Sequence, residues 1–303
     1  MFEKTPLFLA PLAGLSDLPF RGIVKEFGCD ITVSEMISAN ALVYESKKTL
    51  DMLQRHDLEN PYFVQIEGSE PKIIKKAVEI LNSLPNIDGI DLNCGCPVPK
   101  IIKQNSGSAL LKNPKLLCKL VEIIKTNSTK KYTSVKLRLG FDSICLDSFA
   151  QDIQNAGADF IAIHARTKTG GFTSVPNYEA IGEIKSKLKI PVVANGSINE
   201  INFKEVLQIS GADGIMIGRA SIGKPWIFDL IKGKQSPDKS QKKQIILKHF
   251  DLVIKRYGQH GCAVFRKHLH EYCKNLKNAS LFREKINQIN DSNLLKSQIE
   301  DFF

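Results

Sequence analysis

Eight short apolar or β-branched runs recur through the first 220 residues: Leu7–Ala13, Ile31–Ile37, Tyr62–Gly68, Gly89–Cys94, Thr133–Gly140, Phe160–Ala165, Pro191–Ser197 and Gly214–Gly218. Between most of them lies an amphipathic stretch long enough to form a helix. Ile73, Ile74, Ala77, Ile80 and Leu81 keep helical spacing after Ser69-Glu70-Pro71. Leu116, Leu117, Leu120, Val121 and Ile124 do the same after Asn113-Pro114. A proline suits each start, because a first-turn N–H has no intrahelical partner to lose. Strands alternating with helices predict a parallel sheet. Eight such units in about 230 residues predict a closed (β/α)8 TIM barrel. The alternative, an open doubly wound sheet, lacks a Gly-x-Gly-x-x-Gly turn after the first run.

The pattern changes at the polar stretch Lys232-Gly-Lys-Gln-Ser-Pro237. Beyond it only helical spacing survives: Ile246, Phe250, Val253 and Tyr257, then Phe265, Leu269, Tyr272 and Leu276. Two shorter stripes follow, Phe282, Ile286 and Ile289, then Leu295, Ile299 and Phe302. The expected organisation is a barrel over residues 1–233 and a small helical bundle over residues 234–303.

Composition adds three constraints. The chain is 43% hydrophobic and 24% charged over 303 residues, ordinary values for a globular protein. No apolar window approaches the roughly 18 residues of a membrane span. Leu7–Leu15 is flanked and interrupted by Pro6 and Pro11 and has no net basic segment before it, which argues against reading it as a secretory signal. Seven cysteines in no paired framework point to a reduced, cytoplasmic setting. The net charge of +10 is unevenly placed, with 14 Lys+Arg against 7 Asp+Glu in residues 234–303. Such a tail suits a polyanion such as nucleic acid, or is simply a lysine-rich solvated surface.

In a barrel of this type chemistry sits at the C-terminal ends of the strands. Those ends carry Pro11-Leu12-Ala13-Gly14, Ser34-Glu35, Gln65, Asn93 with Cys96, Lys136 with Arg138, His164 with Arg166, Asn195-Gly196-Ser197 and Gly218-Arg219. Lys136, a protonated His164 and Arg219, with the amides of two glycine turns, suggest an anion site. Cys96 stands in a Gly-Cys-Pro break after a buried run, near Lys100 and Lys103, a placement that suits catalysis better than packing. Cys94 is read as packing. Glu35 is read as a solvated carboxylate, and Cys262 and Cys273 as structural. No metal-ligand set is expected: Cys94 and Cys96 lack a second pair, and His268 and His270 fall on different helix faces.

These residues also resemble a known family. Ala10–Gly14 with Asp17 and Phe20-Arg21, Ser34-Glu35-Met36, Val64-Gln65-Ile66, Asn93-x-Gly-Cys-Pro followed by Ser106–Leu111, Val135–Arg138, His164–Thr167, Asn195-Gly196 and Gly218-Arg219 are similar to the tRNA-dihydrouridine synthases, above all the bacterial B-type enzymes. The resemblance implies FMN. Pro11, Leu12, Ala13 and Gln65 would contact the isoalloxazine ring, and Lys136 would lie beside its N1–C2 edge. His164, Asn195, Gly196, Ser197, Gly218 and Arg219 would hold the ribityl phosphate. It also implies reduction of the uracil C5–C6 bond in tRNA, with NADPH as electron donor and Cys96 giving the proton to C5. Asn93 and Arg166 are candidates for the uracil edge. Lys100, Lys103, Arg266 and Lys267 are candidates for the RNA backbone, with Arg266-Lys267-His268 exposed on the basic tail. No obligate protein partner is implied. The run Lys168–Tyr178 departs from the family's usual Gln and later Gly and is expected over the pocket mouth. Two other readings stay open here: a related flavin barrel acting on a free pyrimidine, such as a dihydroorotate dehydrogenase, and a non-catalytic RNA-binding module.

Overall fold

The computed structural model describes residues 1–303. Nine strands form one all-parallel sheet: β1 Leu7–Leu9, β2 Ile31–Val33, β3 Ile37–Ser38, β4 Tyr62–Glu67, β5 Gly89–Cys94, β6 Tyr132–Gly140, β7 Phe160–Thr167, β8 Val192–Asn195 and β9 Gly214–Ile217. β1 pairs with both β2 and β9, and β2 pairs with β4, so eight strands close into a barrel. The two-residue β3 lies at the rim, beside the upper end of β4. Helices such as Pro71–Ser83 and Pro114–Asn127 cover the outside. This is a TIM barrel, followed by C-terminal helices.

Strand alternation divides the side chains into two sets. Leu7, Leu9, Val64, Ile66, Ile90, Leu92, Val135, Leu137, Ile161 and Ile163 face the helices in the main core. Phe8, Ile31, Phe63, Phe160, Val193 and Met216 fill the lower barrel interior. Phe63 occupies the room that Gly89 leaves, since a Cβ there would lie 2.3 Å from its ring. Above that apolar floor the inward positions turn polar: Gln65, Asp91, Asn93, Ser134, Lys136, His164 and Asn195. A plug of aromatic rings below and polar groups above leaves the upper end for chemistry.

The single run expected over Ile31–Ile37 is broken into β2 and β3. Ser34 explains the break. Its hydroxyl donates to the Glu35 carbonyl (2.7 Å) and accepts from the Gln65 amide (3.0 Å), taking the place of a ladder bond.

The tail forms helices Lys239–Tyr257, Gly261–Tyr272, Ala279–Asn287 and Ser292–Phe302. Asp238 opens the first with a capping box to Gln241. The stripe predicted to run through Leu276 ends at Tyr272, and Leu276 is exposed, because Asn275 and Asn278 adopt left-handed backbone that no helix continues through. These helices enclose a second core of Ile246, Phe250, Val253, Phe265, Leu269 and their neighbours, which also takes in Trp226 from before the polar stretch. The bundle sits on the barrel helix Leu18–Glu26, where Phe20 packs against His249 and His268. Lys248–Glu26 and Arg256–Asp51 ion pairs line its edge. No helix is long and apolar enough to cross a membrane.

Candidate active site at the barrel mouth

Cys96 lies half-buried in the turn after β5, and its position is set from below by a chain of polar side chains. Ser134 Oγ donates to Asp91 Oδ1 (2.6 Å), and Gln65 Nε2 donates to Asp91 Oδ2 (2.7 Å). Asn93 Nδ2 donates to Gln65 Oε1 (2.7 Å). Asn93 Oδ1 then accepts the backbone amides of Cys96 (2.9 Å) and Gly95 (3.2 Å). From above, the Ser108 amide donates to the Cys96 carbonyl (3.0 Å). Arg138 Nε donates to the Gly95 carbonyl (2.8 Å), and its Nη1 to the Thr167 carbonyl (3.1 Å), tying the cysteine turn to the end of β7.

Burial pushes the Cys96 thiol above its ordinary value, and Glu67 adds to that, while Arg138 and Lys136 oppose it. The sulfur is therefore a protonated thiol at neutral pH, a group able to give a proton rather than attack as a thiolate. Burial also lowers Asp91 ionisation, moving its carboxyl up to about 6, against hydrogen bonds from Ser134 and Gln65.

Across the mouth, Lys136 Nζ donates to Asn195 Oδ1 (3.0 Å), and Asn195 Nδ2 donates to the Met216 carbonyl (2.8 Å). Burial first, and Arg138 second, bring Lys136 down to about 8. His164 is depressed to about 2 by burial and by Lys136, Arg138, Arg166 and Arg219. It is neutral, which corrects the expectation of a protonated histidine: four cations around it leave no room for a fifth. Their mutual repulsion calls for an anion. Two polar atoms buried among these groups have no protein partner, His164 Nδ1 and Arg166 Nη1. The backbone supplies the rest of the cradle, since Gly196 (φ +115°) lies against the His164 ring and a Cβ at Gly218 would meet nothing closer than 3.6 Å. A phosphate-bearing cofactor fits this set of donors. Pro11, Leu12 and Ala13 lie at the same end, in the turn after β1, with Leu12 beside Gly218.

The structure relocates several predicted residues. Asn93 gives one amide hydrogen to Gln65 and its carbonyl to the cysteine turn, so it positions Cys96 and keeps a second amide hydrogen for a ligand. Arg166 donates to the Ser174 carbonyl (2.6 Å) and Ser197 Oγ (2.9 Å), with Nη1 left over. Lys100 and Lys103 are exposed on the short helix Pro99–Lys103 that follows the cysteine turn. Lys267 is exposed and reaches Gly14 in the turn after β1. His268, expected beside it on the surface, is not there, and Arg266 is half-buried. His268 is fully buried, and Arg266 donates to the Ile286 and Ile289 carbonyls (3.1 and 2.8 Å) at the end of helix Ala279–Asn287. The run after Thr167 does cover the mouth: Phe172 packs 4.2 Å from the Arg219 guanidinium and edge-on to His164. Asp91, Ser134 and Arg138 received no role from the sequence. Their signal was the two-residue alternation with Asn93 and Lys136 along β5 and β6.

A protein-family model described as Dihydrouridine synthase (Dus) matches residues 8–303. A probable tRNA-dihydrouridine synthase of Helicobacter pylori (strain ATCC 700392 / 26695) is 44% identical over 304 residues, covering 99% of this chain and 93% of the relative. The tRNA-dihydrouridine synthase B of Pasteurella multocida is 35% identical over 312 residues, with 99% and 93% covered. Among solved structures, morphinone reductase in complex with tetrahydroNAD superposes with a TM-score of 0.52 at 10% identity, covering 78% of this chain and 89% of that one. A variant of NCR from Zymomonas mobilis gives 0.50 at 17%, covering 78% and 89%. At those identities the two structures speak for the barrel alone.

Proposed function

The chain belongs to the dihydrouridine synthase family of flavin-dependent oxidoreductases, and from that premise we propose that it reduces the C5–C6 bond of uridines in tRNA, using FMN as the flavin and NADPH as electron donor. One observation carries the reading: a half-buried cysteine on a braced turn, its thiol held above its ordinary pKa by burial, faces the same barrel mouth as the Lys136, Arg138, Arg166 and Arg219 cations around His164.

FMN, when bound, supplies a hydride to uracil C6. Arg219, His164, and the Gly196, Ser197 and Gly218 turns would hold its phosphate. Pro11, Leu12, Ala13 and Gln65 would flank its ring, Gln65 with the one amide hydrogen that Asp91 does not take. Lys136, charged below about 8, offsets the negative charge that reduction leaves near it. As charge builds at uracil C5, the Cys96 Sγ–H bond breaks and its proton passes to C5. The thiolate that remains is steadied by Arg138 and Lys136, and recovers a proton from solvent. Arg166 Nη1 offers a donor to the pyrimidine or to the anion beside it.

A uracil inside folded RNA must be drawn out of its stack, at a cost of a few kcal/mol. Lys100 and Lys103 beyond the cysteine turn, and Lys267 on the bundle, stand around the opening to offset that with phosphate contacts. The bundle's net charge of +7 serves the same end, whereas a free base would give it nothing to bind. Arg266 is omitted from this set because its guanidinium closes a helix.

The test is two half-reactions. Purified protein should be yellow, release FMN on denaturation and bleach with NADPH. Unmodified tRNA transcript should then restore the oxidised spectrum and acquire dihydrouridine. Reoxidation by uridine or dihydroorotate's oxidised form at the rate seen with tRNA would favour the free-pyrimidine reading. A colourless protein that takes up no flavin would reject both.

A further inference from the structure

Away from the mouth, three buried side chains converge where the bundle meets the barrel. Asp17 precedes the barrel helix Leu18–Glu26, His249 lies in helix Lys239–Tyr257, and His268 in helix Gly261–Tyr272. Their ligand atoms all fall within 4.8 Å of one another. Both histidines are fully buried and Asp17 is 5% exposed. His249 Nδ1 is engaged with the Tyr272 hydroxyl (3.1 Å), but His249 Nε2 and both nitrogens of His268 have no partner. Asp17 Oδ1 accepts the Phe20 amide (3.1 Å), and the Tyr257 hydroxyl lies against the same carboxylate. Buried polar atoms left unpaired at one point are costly, and protein groups satisfy them nowhere in this arrangement.

We propose that Asp17, His249 and His268 form a divalent transition-metal site of the zinc type that fastens the helical bundle to the barrel. Two imidazoles and one carboxylate are a donor set such ions favour. The surroundings have the features that tune a ligand sphere. Tyr272 fixes which nitrogen of His249 points inward, and the Phe20 amide orients the carboxylate. Phe20 and Phe265 wall the site with apolar rings, at centroid distances of 5.1 Å from His268 and 4.8 Å from His249. Zinc ligands in a tetrahedral shell stand about 3.3 Å apart, so the three groups close inward on the ion, drawing the two helices toward the barrel turn. Asp17 also opens the barrel helix on which the bundle sits.

The site is independent of the uridine chemistry, and so is its test. Untagged holoprotein, thiols blocked because seven cysteines could take metal adventitiously, is stripped with chelator and titrated with Co2+ and with Zn2+. We expect about one saturable equivalent per chain. Cobalt bands should be those of nitrogen and oxygen ligands, without sulfur charge transfer. Zinc should raise Tm in a concentration-dependent way. His268→Gln and Asp17→Asn should each weaken binding at least tenfold while keeping bound flavin and far-UV dichroism. No saturable binding by the folded, thiol-blocked wild type would overturn the proposal. So would binding unchanged in both variants, or a cobalt spectrum dominated by thiolate.

Discussion

Cys96 sits where it does because Gly107 has no side chain. A Cβ on Gly107, which holds φ +62°, would lie 2.9 Å from the Cys96 carbonyl oxygen and 3.1 Å from its Cβ. Gly107→Ala should therefore cost about 1–2 kcal/mol of stability. It should also slow tRNA reduction about tenfold or more with FMN content unchanged, as denaturant melts and single-turnover rates would show. The thiol's protonation gives a signed pH dependence. If the acid form donates, as proposed, the rate of tRNA reduction should be level at low pH and fall as pH rises through the thiol's pKa. Burial places that midpoint above the ordinary value of ~8.5. Gly-Cys-Pro after a buried run made the cysteine legible in the sequence. The supports beneath it were not. Asp91, Gln65 and Ser134 meet only once β4, β5 and β6 are in register, with Gln65 opposite Asp91 and Asp91 opposite Ser134.

Helices and strands were read from period, and period is blind to side chains that replace backbone bonds. Ser34 split one expected strand, and two left-handed asparagines stopped one expected helix. The same blindness hid Arg266, whose position on a polar helix face suggested RNA although its donors cap a neighbouring helix. Arg266→Ala should leave those carbonyls unpaired and lower stability by about 1–3 kcal/mol, with flavin content intact. Deeper in the barrel, Arg21 Nε donates to Glu59 Oε1 (2.7 Å), and Thr32 Oγ1 donates to the same oxygen (2.7 Å). Both partners are buried, so Arg21→Ala leaves an uncompensated carboxylate and should destabilise by about 3–5 kcal/mol in urea titrations.

At the scale of the molecule, a barrel that braces a half-buried thiol at its mouth is joined to a basic helical bundle. Eight-fold repetition and the charge asymmetry made both parts visible in the sequence. Their docking was not visible, because Phe20 is separated from His249 and His268 by more than 200 residues of chain and only folding brings them together. If the bundle and the rim lysines grip phosphates, tRNA affinity should fall steeply with added salt. Lys267→Ala should reduce the slope of log K against log salt by about 1, with little change in how one tRNA is chosen over another. The most direct measurement of the account is the pair of half-reactions in Cys96→Ala. The variant should bind FMN and be bleached by NADPH at the wild-type rate, yet be reoxidised by tRNA about 10²–10⁴-fold more slowly. Reoxidation at the wild-type rate, with dihydrouridine formed in the tRNA, would contradict it.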